Sequence, residues 1–173
     1  MKPADLYRTC QVSACRLETR QCYAGDEKGR QRAFLAGEPL PPPGPGKRAD
    51  LRLITQLHQA GRLVQRVHVV DRPLSDYVRY ELAVYAENEA AGEDVRIADR
   101  SAHPQLAGLD GDFVVFDAET SAASVIIFDY SKNGRLRSYK YAAGRKTVSR
   151  HRDRYALALE RSVPLSEFMA VTG

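Results

Sequence analysis

Three aspartates in Asp110-Gly111-Asp112-Phe113-Val114-Val115-Phe116-Asp117 stand close enough in sequence to suggest shared chemistry. Grouped carboxylates activate water, relay protons or hold a hard cation. On a regular strand, however, Asp110 and Asp112 share one face while Asp117, an odd number of residues from both, points to the other. One ion is therefore not expected to collect all three, unless a turn before Phe113 brings Asp110 and Asp112 together. Asp117 reads instead as a strand-end hydrogen-bond acceptor, and no metal is expected. A second constellation follows an apolar run: Asp71, Arg72, Ser75, Asp76, Tyr77, Arg79, Tyr80 and Glu81. Stacking rings, a bidentate donor and carboxylates could read a small polar molecule or a peptide, with Asp71, Ser75, Asp76, Tyr77, Arg79, Tyr80 and Glu81 as binding residues. The alternative is structural, with Arg79 paired to Asp76 or Glu81 and the two tyrosines covering the sheet edge.

The other reactive residue types do not converge in the sequence. His58, His68, His103 and His151 fall in four separate elements, so no triad is legible, and His68 reads as a satisfied core imidazole. Cys10, Cys15 and Cys22 form an odd set with no second pair and no histidine at zinc-finger spacing. They read as reduced, half-buried thiols. No catalytic residue and no cofactor are assigned.

These residues must be positioned by an alternation of helices and strands. Ala14 to Tyr23 alternates as a strand with one buried face, and Asp26 to Ala36 reads as a short helix capped by Asp26 and stopped by Gly37. Glu38 to Gly46 is too rich in proline to continue either element. It reads as a stiff surface connector or, with Lys47 and Arg48, as a ligand for a proline-reading domain. From Asp50, taken as a cap, Leu51, Ile54 and Leu57 form a helical stripe ending at Gly61. Leu63 to Val70 is β-branched and nearly continuous, as in an inner strand, so Gln65, Arg66 and His68 need partners.

Leu74, Val78, Leu82 and Tyr85 mark a helix opened by Ser75 and Asp76 and closed at Gly92. Val95 and Ile97, then Phe113 to Phe116, then Ser124 to Tyr130, read as strands. Asn133-Gly134 predicts a hairpin returning as Leu136 to Tyr141. A helix from Lys146 to about Arg161 is broken by Pro164. Because a helix between successive strands implies parallel pairing and turns imply antiparallel pairing, the predicted fold is α/β, a mixed sheet flanked by helices.

The chain of 173 residues suits a single domain over 1–173, with an N-terminal strand and helix (1–37), a proline-rich connector (38–50) and an α/β core with a C-terminal helix (51–173). It contains no apolar run of about 18 residues and no signal-type start, so no membrane contact and a cytoplasmic location are expected. The net charge is only +4, but it is unevenly spread. Asp71 to Arg100 is acidic on balance, whereas the stretch from Arg135 to Arg154 carries Arg135, Arg137, Lys140, Arg145, Lys146, Arg150, Arg152 and Arg154 against Asp153 alone. That basic stretch is either a solvated helix face or a nucleic-acid surface built on Arg145, Lys146, Arg150 and Arg152. A homodimer is compatible with the composition.

Over about Leu51 to Tyr130 the element order resembles one half of a phospholipase D-like domain, here with an added N-terminal strand and helix and a C-terminal helix. The hallmark of that superfamily is a His, a Lys two residues on and an Asp five further. Asp110, Asp112 and Asp117 keep the spacing but not the residue types. The resemblance therefore implies a scaffold whose phosphodiester chemistry is gone: a carboxylate repels the phosphate it would attack, and no lysine grips it. Arg16 to Thr19, Phe34 to Pro41, Val67 to Glu81 and Asn88 to Glu93 are similar to motifs of an actinobacterial family with no assigned activity. Its members are often described beside helix-turn-helix regulators. What this implies is a non-catalytic binding or regulatory protein acting with a DNA-binding regulator or a small-molecule ligand. An enzyme using new chemistry on the same scaffold is the other alternative.

Overall fold

A computed structural model describes residues 3–25 and 28–171. In chain order it contains α1 (Pro3–Thr9), β1 (Ser13–Glu18), α2 (Lys28–Leu35), α3 (Pro45–Gln59), β2 (Leu63–Val70), α4 (Asp76–Ala90) and β3 (Asp94–Asp99). There follow a 3-10 turn (Pro104–Leu106), β4 (Phe113–Phe116), β5 (Ser124–Tyr130), β6 (Leu136–Ala142), α5 (Arg145–Glu160), β7 (Val163–Pro164) and α6 (Leu165–Ala170). The strands form one mixed sheet in the order β6-β5-β4-β1-β2-β3-β7. No helix among the described residues is long and apolar enough to cross a membrane.

β1, β2 and β3 run parallel because helices separate them in sequence, while β4, β5 and β6 meander back antiparallel through turns. The pleat sends alternate side chains to opposite layers. Leu17, Val67, Val69, Phe113, Val115 and Val125 pack under Val148, Tyr155 and Ala158 of α5. On the other face, Ala14, Val64, Val114, Phe116 and Ile126 meet Leu6, Ile54 and Leu57 of α1 and α3. Val70, Val95 and Ile97 meet α4 and α6 through Val78, Leu82, Tyr85, Leu165 and Phe168. β2 is the inner strand its composition requires. Its polar side chains are partnered: Gln65 by Asp94 and Tyr155, Arg66 by Glu18 and Glu93, and His68 by Tyr85.

Several boundaries differ from the sequence reading. β1 ends at Glu18 rather than Tyr23, because Thr19 leaves the ladder to bond Asp112. α3 begins at Pro45 with Gly44 as N-cap, so Asp50 lies inside the helix and the proline-rich connector is shorter. Proline fits there, since the first helical position has no use for its N–H. Arg48 donates to the Pro43 carbonyl and Lys47 to Asn88, so both cations are used internally. The Asp26 cap lies outside the described residues. The stops at Gly37, Gly61 and Gly92 hold, each with a positive φ. Helix α1, the 3-10 turn and the β7–α6 tail, in which Val163 and Pro164 pair with the edge of β3, went unforeseen.

Gly134 closes the β5–β6 turn at φ +79 and is also crossed by the segment after β1, with Ala24 N–H donating to its carbonyl. A Cβ there would lie 2.5 Å from the Cys22 carbonyl oxygen and 2.7 Å from Tyr23 Cα. Gly134→Ala is expected to cost about 2 kcal/mol in equilibrium urea unfolding, from positive-φ strain plus backbone overlap. A loss within error of zero would mean that the crossing segment yields freely.

Candidate functional site

The parallel strands end side by side, and their carboxyl ends open onto a cleft of about 490 Å³. In open α/β sheets this end is where ligands collect, because the loops diverge there and leave polar groups uncovered. β1 delivers Thr19, Arg20 and Gln21, β2 delivers Asp71, and β3 delivers Arg100. From the antiparallel half come Asp110, Gly111 and Asp112 ahead of β4, and Phe128, Asp129 and Tyr130 on β5.

Antiparallel pairing of β1 with β4 places Thr19 beside Asp112, whose carboxylate forms the floor. Its Oδ1 accepts from Thr19 N–H at 2.9 Å and Thr19 Oγ1–H at 3.1 Å, and its Oδ2 accepts from the Tyr23 hydroxyl. Burial, then the negative charge of Glu18, pushes this carboxyl up, while the Tyr23 and Thr19 bonds pull the other way. With 1% of its surface exposed, Asp112 has little left to offer a ligand. One wall is an ion pair, Arg100 to Asp71 at 3.0 Å, with Arg100 also donating to the Leu109 carbonyl. Opposite it, Arg20 donates to the Ser131 carbonyl at 2.8 Å and lies 5.7 Å from the Tyr130 ring centroid. The Nε groups of Arg20 and Arg100 are buried without a hydrogen-bond acceptor. Asp110 is exposed, and its carbonyl accepts from Arg154. With Asp71, Asp110, Asp112 and Asp129 against Arg20 and Arg100, the lining is acidic on balance.

Behind the cleft lies a buried ionic layer. Glu18 accepts from Arg16 at 2.7 Å, Arg66 at 2.9 Å and the Tyr85 hydroxyl at 2.8 Å, and Arg66 also meets Glu93 at 3.0 Å. Burial alone would raise the Glu18 carboxyl, but Arg16 and Arg66 outweigh it and hold that carboxyl well below the usual carboxylate range. His68 sits 2.9 Å from the Tyr85 hydroxyl and donates from Nε2 to the Arg20 carbonyl. It is the satisfied core imidazole its strand position suggests. Cys10 and Cys15 are buried free thiols and Cys22 is an exposed one; burial pushes the Cys15 thiol up to about 11.

The three aspartates do not share a site. Asp110 and Asp112 reach the cleft, whereas Asp117 lies beyond the other end of β4 and accepts the backbone N–H groups of Gln11, Val12 and Ser13. It is a strand-end acceptor, separated from Asp112 by the length of the strand as well as by its face. Among the described residues no three His, Cys, Asp or Glu side chains converge as a ligand set.

Of the binding residues read from the second constellation, Asp71 lines the cleft. Ser75 caps α4 by accepting from Val78 N–H and donates to the Gln21 carbonyl, which ties the helix to the cleft wall. Asp76 and Arg79 pair with each other at 3.3 Å on the exposed side of α4. Tyr77 packs against Tyr23 and Tyr80, and Tyr80 against Phe34. Burial and the neighbouring Glu81 raise the Tyr77 hydroxyl well above its ordinary value. Along the basic stretch, Arg145, Lys146 and Arg150 lie on one exposed side of α5, while Arg152 turns toward Glu119 at 3.7 Å.

Arg20, Gln21, Arg100, Asp129 and Tyr130 were not anticipated at the cleft. The carboxyl-end rule, applied to all three parallel strands, accounts for the first three. The fold and cleft together define an α/β protein with a polar cleft at the ends of its parallel strands. The chain belongs to the family described as a domain of unknown function (DUF6879), which it matches over residues 2–170. No curated protein matches it.

Proposed function

We propose that this chain is a non-catalytic binding protein whose carboxyl-end cleft takes a small organic ligand bearing an amine, guanidine or similarly donor-rich group. One contrast supports the reading. The cleft is open and acidic on balance, while the buried titratable groups beside it, Asp112 and His68, are committed to internal hydrogen bonds. A volume of about 490 Å³ suits a small molecule, Tyr130 and Phe128 supply apolar surface, and Asp110 and Asp71 supply acceptors. The exposed carboxylates of the cleft, Asp110 and Asp129, are solvated acceptors, which suits holding a donor-rich ligand. In the finer reading the ligand is a signal and the protein acts with a DNA-binding regulator. The phospholipase D-like resemblance fits the same picture, a scaffold with carboxylates where a nucleophile and its phosphate grip would stand.

A thermal-shift screen of amines, guanidines, amino acids and nucleosides, followed by calorimetry, tests the proposal. At least one donor-rich class is expected to raise the melting temperature, because a ligand at a hundred times its Kd adds about 2.7 kcal/mol to the folded state. Asp110→Asn is expected to weaken that ligand by about tenfold or more, the value of a hydrogen bond to a charged acceptor. Stabilisation by anionic ligands alone, or by none of the classes, would overturn the reading.

A further inference from the structure

α5 packs Val148, His151, Tyr155 and Ala158 against the sheet and turns a different kind of surface outward. Arg145, Lys146, Ser149, Arg150, Asp153, Arg154 and Leu157 border a shallow groove of about 860 Å³ along the helix. Of the groove's cations Arg154 is turned inward, donating to the Asp110 carbonyl and lying over the Phe113 ring, while Lys146 and Arg150 stand one turn apart, roughly 6 Å along the axis. Arg145 stands beside the first of them. Arg145, Lys146 and Arg150 make no ion pair among the described residues, and Asp153 is the groove's one carboxylate.

Helix stability does not explain this placement. The first turn of α5 contains Arg145 and Lys146 and no acidic residue, although the positive end of the helix dipole disfavours cations there. Gly144 at the N-cap offers no side-chain acceptor. A row of solvated charges kept against local preference has a use for an anion. The register adds Lys140, opposite Ile127, on the same face of the sheet as α5.

We propose that the outward face of α5 binds the phosphate backbone of nucleic acid, without reading its sequence. A row of repeated cations matches a polymer of repeated charges, whereas a single small anion would use only one or two of them. A membrane surface fits less well. An interfacial helix needs a stripe of apolar side chains beside its cations, but the apolar face of α5 is spent on the sheet, and the one large apolar side chain at the groove, Leu157, is half-buried against that core.

Fluorescence anisotropy with a labelled duplex and a labelled single strand, from 50 to 200 mM salt, tests the proposal. Four phosphate contacts, from Lys140, Arg145, Lys146 and Arg150, predict a log–log salt slope near −3.6 on duplex, so affinity falls on the order of a hundredfold across that range. The triple variant Arg145→Gln, Lys146→Gln, Arg150→Gln keeps the helix-forming character of these positions. It is expected to bind more weakly at 50 mM and to lose only about three- to fourfold over the same salt range. Circular dichroism confirms that the variant is folded. No binding by the wild type at 50 mM salt, or an unchanged slope in the folded triple variant, would overturn the proposal. Equal or tighter binding to anionic lipid vesicles or polyglutamate, lost in the same variant, would overturn it in favour of those partners.

Discussion

Glu18→Gln should lower the free energy of unfolding by about 3–5 kcal/mol, the usual cost of removing one partner from a buried ionic cluster. Glu18 accepts from Arg16, Arg66 and Tyr85, and its side chain is 3% exposed. The amide retains the shape but cannot neutralise two guanidiniums, and Glu93 alone would remain to balance them. The penalty arises mainly from stranded charge. A double-mutant cycle separates the two terms: Glu18→Met with Arg66→Met should cost clearly less than the sum of the single substitutions. Strict additivity in urea unfolding would mean that the pair is not coupled.

The same substitution should alter acid sensitivity. Because Glu18 is held well below the usual carboxylate range, its folded value lies under its unfolded one, near 4.3. Its stabilisation is therefore present above that pH and is lost as pH falls toward the folded value. Asp112 has the opposite sign. Its raised carboxyl penalises the ionised folded state, and that penalty is relieved as pH falls through its folded value toward the ordinary one. Wild-type stability should drop below about pH 4, and Glu18→Gln should flatten that drop.

The sequence exposed the elements whose hydrophobic period is strong and whose ends carry punctuation. Leu63 to Val70, Phe113 to Phe116 and Ser124 to Tyr130 matched β2, β4 and β5 at both ends, and Ser75 proved to be the cap of α4. Local signals missed what long-range contacts decide. Nothing near Thr19 announces that it turns out of β1 to meet Asp112, 93 residues later. The N-terminal helix buries only Leu6, too little for a visible stripe. The cleft was legible in principle at one strand, through Asp71. Arg20 and Arg100 come from sequence neighbourhoods with no shared pattern, and only the order β1-β2-β3 brings them together. The ionic layer had a partial signal in Arg66 and His68, polar groups inside a run that had to be buried, but their partners lay on β1, α4 and the turn after it.

Asp117→Ala should cost about 2–4 kcal/mol, because one carboxylate organises the start of β1. Its Oδ1 accepts from Val12 N–H at 2.7 Å and Ser13 N–H at 3.1 Å, and both oxygens lie 3.0 Å from the Gln11 amide. Its own N–H donates to the Ser13 carbonyl at 2.8 Å, and its φ of +50 is a conformation alanine resists. Three variants divide the effect. Asp117→Asn keeps an acceptor and tolerates positive φ, Asp117→Gly keeps only the conformational freedom, and Asp117→Ala keeps neither, so stability should fall in that order. Hydrogen exchange should show the Gln11, Val12 and Ser13 amides losing protection first. Asp112 and Asp117 stand roughly 17 Å apart along an extended chain, five residues of strand rise. Asp112→Asn and Asp117→Asn should therefore add within about 0.5 kcal/mol. A large coupling between them would mean that the two aspartates act as one site after all.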